Sequence, residues 1–347
     1  MTEPITFNII YTPGTVVHLL PFVRSLLRQS AAHFRLVDNG CMVPERRILE
    51  AFVKADDRLA LWNMSGVGCR PHGEVLDALF ALETPGPFAF MDSDIVASGP
   101  FLDDVLKAAK AAPAVFSGAP VWLADGAGIF EDDFQSLTGE YIWDSRGDCL
   151  GCTYLAVYDR ALLDDIKSGY GLRFGEYRWE DLPIAVQQEL AQRGRKAAIY
   201  DTGKAINAML PTPGHYVKLI NIHHLGGYSF PALRTAAGVH GGLARWGLDK
   251  SRLLAPLLRL RSLRGYQRFG KAAEARAHYR RRVLYRDPVR QYFHLLLRNV
   301  SMGGSSLPTM PYTDCASVNA QIAAAAVAIL ENCSLDDQAG EHMAKTR

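Results

Sequence analysis

Residues 5–38 decide the fold class, and they read ITFNIIYTPGTVVHLLPFVRSLLRQSAAHFRLVD. The apolar run Ile5–Tyr11 predicts a strand, and Thr12-Pro13-Gly14 predicts the turn after it. Thr15–Gln29 follows with apolar residues at helical spacing, and Phe34–Val37 is a second short apolar run. A strand, a helix and a further strand in this order form a unit whose two strands lie parallel in one sheet.

The same alternation continues through the first 120 residues and predicts an α/β fold. Further strands are predicted at Leu59–Trp62, Phe88–Met91 and Ala114–Phe116, with helical segments between them. We therefore expect a Rossmann-like, mostly parallel sheet flanked by helices. Ligands of such sheets bind outside the carboxyl ends of the strands, so we expect functional residues directly after each strand.

The composition excludes several other classes of protein. The chain has 347 residues, of which 48% are hydrophobic and 21% charged, as in ordinary globular domains rather than disordered, collagen-like or coiled-coil chains. The formal net charge of +2 does not indicate a nucleic-acid-binding protein.

The charge is unevenly distributed along the chain. Residues 1–244 hold 21 basic and 28 acidic residues, whereas residues 245–300 hold 15 basic and 3 acidic ones. We expect an α/β domain at residues 1–244 and a basic, mainly helical C-terminal extension at residues 245–347. A basic segment after an acidic body indicates an anionic partner, such as a phosphorylated acceptor or a membrane surface.

The most basic part of this extension has an amphipathic pattern. Residues 251–266 read SRLLAPLLRLRSLRGY and place leucines and arginines at helical spacing, interrupted by Pro256. Helices of this kind lie on anionic membranes. The alternative is a helix that covers the domain with its leucines.

Three further features indicate a cytoplasmic protein. The first residues, MTEPITFNII, lack the basic and apolar regions of a secretory signal. The longest apolar run, Ile322–Leu330, is far shorter than the ~18 residues that a membrane span requires. Six cysteines do not form a dense disulfide framework, and we interpret the Cys149 and Cys152 pair as buried thiols rather than a metal or redox site.

The strongest candidate for a metal site is Asp92-Ser93-Asp94, which directly follows the strand predicted at Phe88–Met91. Asp-x-Asp triplets are common in turns, but the end of a central strand is where a ligand would bind. Two carboxylates there can hold Mg²⁺ or Mn²⁺, which commonly bind substrate phosphates as well. Such a metal would stabilise a diphosphate as a leaving group.

Two loops at the neighbouring strand ends are candidate nucleotide contacts. Asp38-Asn39-Gly40 follows the second strand, and its Asp can accept hydrogen bonds from a base or ribose or form an Asx turn. The loop Asn63–Gly73 is rich in glycine, which allows a ligand to approach the backbone. Arg70 and His72 in this loop are suited to contact phosphate.

Two later motifs are candidates for proton transfer and metal binding. Glu180 and Asp181 are predicted to open a helix at Asp181–Arg193, where a carboxylate can take a proton from an acceptor hydroxyl or simply favour the helix N-terminus. His223 and His224 precede two glycines. Imidazole is a ligand for Mn²⁺, although a histidine pair can also be structural.

Taken in order, these motifs resemble those of the GT-A nucleotide-sugar glycosyltransferases, most closely the family-2-like inverting members. The resemblance runs from Ile5 to Ser229. It is carried by the following segments: Val37-Asp38-Asn39-Gly40, Asn63–Gly73, Asp92-Ser93-Asp94, Gly151, Trp179-Glu180-Asp181 and His223-His224-Leu225-Gly226-Gly227.

The resemblance implies a GT-A fold and the metal-dependent transfer of a sugar from a nucleotide-diphosphate sugar. It implies UDP rather than GDP as the nucleotide of this donor. It implies that Asp92, Asp94 and His224 bind Mn²⁺ or Mg²⁺ and that Asp181, or else Glu180, is the catalytic base. The residues that it implies for the donor nucleotide are Thr12, Asp38, Asn63, Arg70, Asp92 and Ser93.

The acceptor expected for such an enzyme is a glycan or a lipid-linked acceptor, with the basic residues 245–300 at an anionic membrane surface. Three alternatives remain open from the sequence. They are a retaining GT-A transferase, a sugar-1-phosphate nucleotidyltransferase, and a binding protein without catalytic activity whose acidic motifs are turns and caps.

Overall fold

The computed structural model describes residues 5–64, 68–82, 86–123, 129–130, 142–143, 149–151, 154–197, 199–226, 285–311 and 313–333. The predicted domain boundary after residue 244 and the basic segment at residues 251–266 lie outside the described residues.

The first part of the chain alternates strands and helices as the sequence predicts. The elements are β1 (Thr6–Tyr11), α1 (Val16–Gln29), β2 (His33–Asp38), α2 (Val43–Phe52), β3 (Leu59–Asn63), α3 (His72–Phe80), β4 (Phe88–Asp92), β5 (Ile95–Ala97), α4 (Leu102–Ala109) and β6 (Ala114–Ser117).

The second part has shorter strands and ends in two long helices. Its elements are β7 (Ile129–Phe130), β8 (Ile142–Trp143), β9 (Cys149–Leu150), β10 (Leu155–Tyr158), α5 (Arg160–Tyr170), β11 (Tyr177–Arg178), α6 (Ile184–Gln192), β12 (Ile199–Tyr200), α7 (Lys204–Met209), β13 (His215–Tyr216), β14 (Ile222–His224), α8 (Arg286–Ser301) and α9 (Ala316–Cys333).

The main sheet has seven strands in the order β13-β6-β10-β4-β1-β2-β3. β1 lies parallel to both β2 and β4, whereas β10 is antiparallel to its neighbours β4 and β6. The predicted fold class, a mixed and mostly parallel sheet flanked by helices, is confirmed. The chain leaves β1 towards β2 and β3 and returns to β4 on the other side, so the strand order reverses between β1 and β4, where doubly wound sheets bind their ligands.

The register of the strands brings the predicted site residues to one edge. Ile10 is paired with Asp92, and Asp38 is paired with both Tyr11 and Asn63. Asp38, Asn63 and Asp92 are the last residues of their strands. The carboxyl ends of four neighbouring strands therefore form one continuous edge.

β4 is apolar from Phe88 to Met91 because both faces of the sheet are covered. In β4, Ala89 and Met91 belong to one buried cluster, and Phe88 and Phe90 belong to another. Successive side chains of a strand point to opposite faces, so two separate cores require an uninterrupted apolar run.

The two C-terminal helices belong to the core on one of these faces. Phe293 and Leu296 of α8 and Ile322 of α9 are fully buried in the cluster that also contains Leu19 of α1. Arg28 at the end of α1 donates a hydrogen bond of 2.9 Å from Nη1 to Oδ1 of Asn332. The described part of the predicted C-terminal extension is helical, as expected.

No helix in the described ranges is long and apolar enough to cross a membrane. Cys41, Cys69 and Cys315 are free thiols. Cys152 and the side chain of Cys149 lie outside the described residues, so the interpretation of this pair as buried thiols stays a prediction.

Neighbouring leucines of α8 test whether this helix is part of the domain core. Leu296→Ala removes a fully buried side chain and should lower the free energy of unfolding by about 2–5 kcal/mol in urea denaturation. Leu295→Ala alters a side chain that is 45% exposed and should change it by no more than about 0.5 kcal/mol. Equal effects of the two variants would contradict the packing of α8 described above.

Candidate functional site

The two aspartates of the Asp92-Ser93-Asp94 motif are held at the end of β4 by backbone hydrogen bonds. The N–H of Asp92 donates to the carbonyl of Tyr154 at 2.7 Å, and the carbonyl of Asp94 accepts from the N–H of Leu225 at 3.0 Å. The side chain of Asp94 is fully buried, whereas that of Asp92 is 14% exposed. The motif therefore has a fixed backbone with both carboxylates largely removed from water.

His224 reaches these carboxylates because β14 pairs antiparallel with β5, which places it opposite Ile95. Its Nδ1 lies 2.7 Å from the carbonyl oxygen of Gly118. A carbonyl only accepts, so Nδ1 carries a proton. The other nitrogen, Nε2, lies 3.1 Å from Oδ1 of Asp94 and 3.4 Å from Oδ2 of Asp92.

The charges of this group explain its pKa shifts. Burial by itself lowers the pKa of His224, but the negative charge of Asp94 and the contacts with both carboxylates outweigh it and raise the pKa to about 10. Burial is also the main cause of the raised pKa of Asp92, with Asp94 adding to it and His224 opposing it. In the protein alone, protonated His224 is thus the counter-ion of the two aspartates.

The same three side chains fit a divalent metal ion. Their ligand atoms lie within 4.8 Å of one another. Nε2 of His224 is buried and faces both carboxylates, and Oγ of Ser93 is buried without a hydrogen-bond partner in the described part of the chain, which is typical of atoms that face a bound group. Metal-binding histidines commonly donate their other N–H to a backbone carbonyl, as Nδ1 of His224 does. Carboxylates together with imidazole suit Mn²⁺.

Two further side chains lie beside this group: Tyr154, which the sequence did not single out, and His72, which it indicated as a phosphate contact. The ring of Tyr154 lies 4.7 Å from that of His224, between centroids, at the start of the segment that leads into β10. His72 begins α3 and packs edge-on against Phe90 of β4. Burial lowers the pKa of His72, and the charge of Asp92 opposes this shift, so the two side chains interact. In the sequence, the position of His72 in the loop after β3 was the only indication that its side chain lies near Asp92.

Asp38 is fully buried and both of its carboxylate oxygens are bound within the chain. Oδ1 accepts from the backbone N–H of Cys41 at 2.7 Å, and Oδ2 accepts from Nε of Arg46 at 2.7 Å. The first bond is the turn-type interaction considered from the sequence. The implied contact of Asp38 with a nucleotide base stays a prediction.

The next two residues fasten the glycine-rich loop to the end of β2. The side-chain amide of Asn39 donates to the carbonyl of Arg70 and accepts from its N–H, each at 2.9 Å. Gly40 has a φ of +77°, and a Cβ at this position would lie 2.7 Å from the backbone N of Cys69. Two motifs that are distant in sequence therefore meet because only glycine allows their backbones to approach this closely.

The remaining predicted donor residues lie along the same edge. Thr12 makes a tight turn in which its carbonyl accepts from Oγ1 of Thr15 at 2.6 Å, immediately before α1. Asn63 ends β3 and is exposed. The guanidinium of Arg70 is half-buried and has no hydrogen bond or ion pair with residues that the structure describes. Residues 65–67 of this loop lie outside the described residues.

The predicted base residues lie on the surface of the described chain. Glu180 and Asp181 are exposed in a short 3₁₀ turn. The prediction of a helix from Asp181 is wrong, because α6 begins at Ile184 after Pro183. Proline disfavours helical geometry in the residue before it, and Leu182 is accordingly extended, with a ψ of 144°.

Gly151 has a packing role in the structure. A Cβ at this position would lie 2.1 Å from the ring of Phe116, so a larger residue would displace that ring. Its carbonyl accepts from Nδ2 of the buried Asn207 at 3.0 Å.

No protein-family model matches the sequence, and no curated protein matches it either. Several solved structures have a weak similarity to this chain. The glycosyltransferase GlyE of Streptococcus pneumoniae has 10% identity and a TM-score of 0.36 over 62% of this chain, which spans about half of GlyE (46%). The mannosyltransferase PcManGT of Pyrobaculum calidifontis, in complex with GDP-Man and Mn²⁺, has 14% identity and a TM-score of 0.37 over 95% of this chain and 88% of its own.

A third similar structure has a different activity in its name. The 4-diphosphocytidyl-2C-methyl-D-erythritol synthase of Anaerococcus prevotii has 12% identity and a TM-score of 0.35 over 65% of this chain and 90% of its own. All three TM-scores lie below 0.5, so these likenesses do not assign an activity. Glycosyltransferases are among the proteins that this chain is similar to.

The raised pKa of His224 gives a test of the group without any metal. A histidine with a raised pKa in the folded state contributes stability that is fully present below pH ~6.5 and lost as the pH rises through about 10. In EDTA, the difference in free energy of unfolding between wild type and His224→Gln should therefore be largest near pH 6 and decline towards pH 10. The exposed His215, replaced by Gln, controls for the general response to pH. A difference that is constant over this range would contradict the counter-ion role.

Proposed function

We propose that this protein is a metal-dependent glycosyltransferase that moves a sugar from a nucleotide-diphosphate sugar to an acceptor hydroxyl. The observation that carries the proposal is the Asp92–Asp94–His224 group, at the sheet edge beside the point where the strand order reverses. Carboxylates at this edge are suited to hold a metal ion against a diphosphate. The order of motifs shared with GT-A enzymes supports the same assignment.

The residues along the edge have complementary roles in this proposal. Asp92, Asp94 and His224 hold Mn²⁺ or Mg²⁺, which when bound neutralises the diphosphate and stabilises it as a leaving group. Arg70 contacts the diphosphate. Its guanidinium is suited to this role because it has no ion-pair partner in the described chain and binds phosphate through charge-assisted hydrogen bonds. Thr12, Asp38, Asn63 and Ser93 bind the nucleoside, which we expect to be uridine rather than guanosine.

The acceptor hydroxyl attacks the anomeric carbon from the side opposite the diphosphate, so the reaction inverts that carbon. Asp181, or in its place Glu180, takes the proton of this hydroxyl as the new bond forms. The exposure of both carboxylates leaves them accessible to an acceptor from solvent. The nucleoside diphosphate leaves with the electron pair of the broken bond.

The decisive experiment is calorimetric titration of UDP and of GDP into the protein with and without Mn²⁺. One nucleotide should bind to the wild type in a Mn²⁺-dependent manner, and Asp94→Asn should abolish this binding. Asp165→Asn is the control, because it alters an exposed carboxylate on α5 and should leave the binding unchanged. Asp181→Asn should retain nucleotide binding and lose transfer to acceptor, by about 10²–10⁴-fold for a general base.

Each result has a clear meaning for the proposal. Metal-dependent binding that survives Asp94→Asn would remove Asp94 from the site. Full transfer by Asp181→Asn with loss in Glu180→Gln would exchange the two base candidates. No nucleotide binding by folded wild type would favour a binding protein without catalytic activity.

We further propose that the acceptor is a glycan or a lipid-linked molecule at the inner face of a membrane, approached through the basic residues 245–300. The support for this is charge, because Arg286, Arg290 and Arg298 continue along α8 the excess of basic residues found before it in the sequence. Anionic lipid surfaces attract such segments by about 1 kcal/mol for each basic residue.

Neutralising the arginines of the amphipathic segment tests this attachment in the intact protein. A variant with Arg252, Arg259, Arg261 and Arg264 replaced by Gln should lose sedimentation with anionic vesicles at low salt and keep nucleotide binding. Vesicles of zwitterionic lipid are the control. Equal sedimentation of wild type and variant with anionic vesicles would contradict a membrane role for this segment.

A further inference from the structure

The second histidine of the pair, His223, lies on the opposite side of β14 from the metal group. Successive residues of a strand point to opposite faces, so His223 faces away from the aspartates when His224 faces towards them. His223 is fully buried, and both of its ring nitrogens have hydrogen-bond partners. Nε2 lies 2.7 Å from Oγ of Ser98, and Nδ1 lies 2.6 Å from Oε1 of Gln321.

Gln321 comes from α9 and holds the segment before His224 at two points. Its Nε2 donates to the carbonyl of Ile220 at 3.1 Å. A carbonyl cannot donate, so this bond fixes the orientation of the amide, and Oε1 is the acceptor for an N–H at Nδ1 of His223. Nε2 of His223 then accepts from the hydroxyl of Ser98. Every donor in this chain of hydrogen bonds has an acceptor when His223 is neutral.

Backbone hydrogen bonds align β14 with β5 over only a short length, which ends at the bonds from Ser98 N–H to the carbonyl of Asn221 and from Leu225 N–H to the carbonyl of Asp94. The strand has three residues and pairs with β5, with an isolated bridge between Pro120 and His224 on its other side. A shift of one residue along β5 would turn every side chain of β14 to the other face and direct His223 towards the aspartates. The side-chain contacts of His223 oppose this shift, because only its present position reaches both Ser98 and Gln321.

We propose that Gln321 is a positioning residue for the metal group, so that the C-terminal helix α9 sets the register of β14 and thereby the place of His224. The inference rests on the proposed function, since it concerns the affinity for the metal ion. Gln321 touches neither the metal nor the substrates. It acts through His223 and Ile220, which precede His224 on the same segment.

The test measures Mn²⁺ binding directly, by electron paramagnetic resonance of free Mn²⁺ without nucleotide. Gln321→Met keeps the length of the side chain but removes both hydrogen bonds, and it should weaken Mn²⁺ affinity by about tenfold, at the low end of what loss of supporting partners costs a metal site. Ser98→Ala removes the other bond to His223 and should weaken it in the same direction.

Asn332→Leu is the matched control on the same helix. Asn332 accepts from Arg28 of α1 and donates to the carbonyl of Ala328, so its replacement also costs hydrogen bonds that involve α9, but far from β14. Thermal unfolding of the variants shows whether the losses of stability are comparable. Asn332→Leu should retain the Mn²⁺ affinity of wild type.

The possible results separate this inference from the proposed function. Wild-type affinity in Gln321→Met, or an equal loss in Asn332→Leu, would overturn the positioning role and leave the metal site intact. Wild-type protein that binds no Mn²⁺ in an Asp94-dependent manner would overturn the proposed function first. If Gln321→Met does not fold, Ser98→Ala decides, and unchanged affinity there overturns the inference.

Discussion

The interaction on which the site depends is the contact between one buried imidazole and two carboxylates. Asp94 is fully buried and Asp92 nearly so, and negative charges removed from water require a positive partner. Protonated His224 supplies that charge in the protein alone, and in our proposal a divalent cation replaces its proton. The hydrogen bond from Nδ1 to Gly118 serves both states, because it directs Nε2 towards the carboxylates whether a proton or a metal lies between them.

The sheet supplies the rest of the site along one edge. Because β1, β2, β3 and β4 run in the same direction, their carboxyl ends place Asp38, Asn63 and Asp92 side by side. Asn39 then holds the glycine-rich loop against this edge through the backbone of Arg70. The described part of this loop is therefore fixed to the sheet edge at Arg70, whereas Glu180 and Asp181 lie in an exposed turn.

Local sequence was sufficient for most elements of the first 120 residues, where apolar strands alternate with amphipathic helices, but it did not predict the three-residue strand β5. It was also sufficient for Asp92 and Asp94, since acidic residues directly after a buried strand lie at a ligand-binding edge. It was insufficient at Asp181, where acidic residues suggested a helix start. Pro183 moved that start to Ile184, because the residue before a proline disfavours helical geometry.

The sequence by itself determined the alternation of strands and helices in the first part of the chain, the apolar faces and the identity of the aspartates, because these follow from periodicity and chain direction over short distances. From the residues alone either histidine of the pair could meet the aspartates, and the resemblance implied His224. The register of the short strand β14 on β5 places His224 there. Only the tertiary structure decided that the ring of Tyr154 lies beside His224 and that Gln321 supports β14. These contacts join segments that are distant in sequence, 98 residues apart for His223 and Gln321, and no local pattern encodes the alignment of such segments.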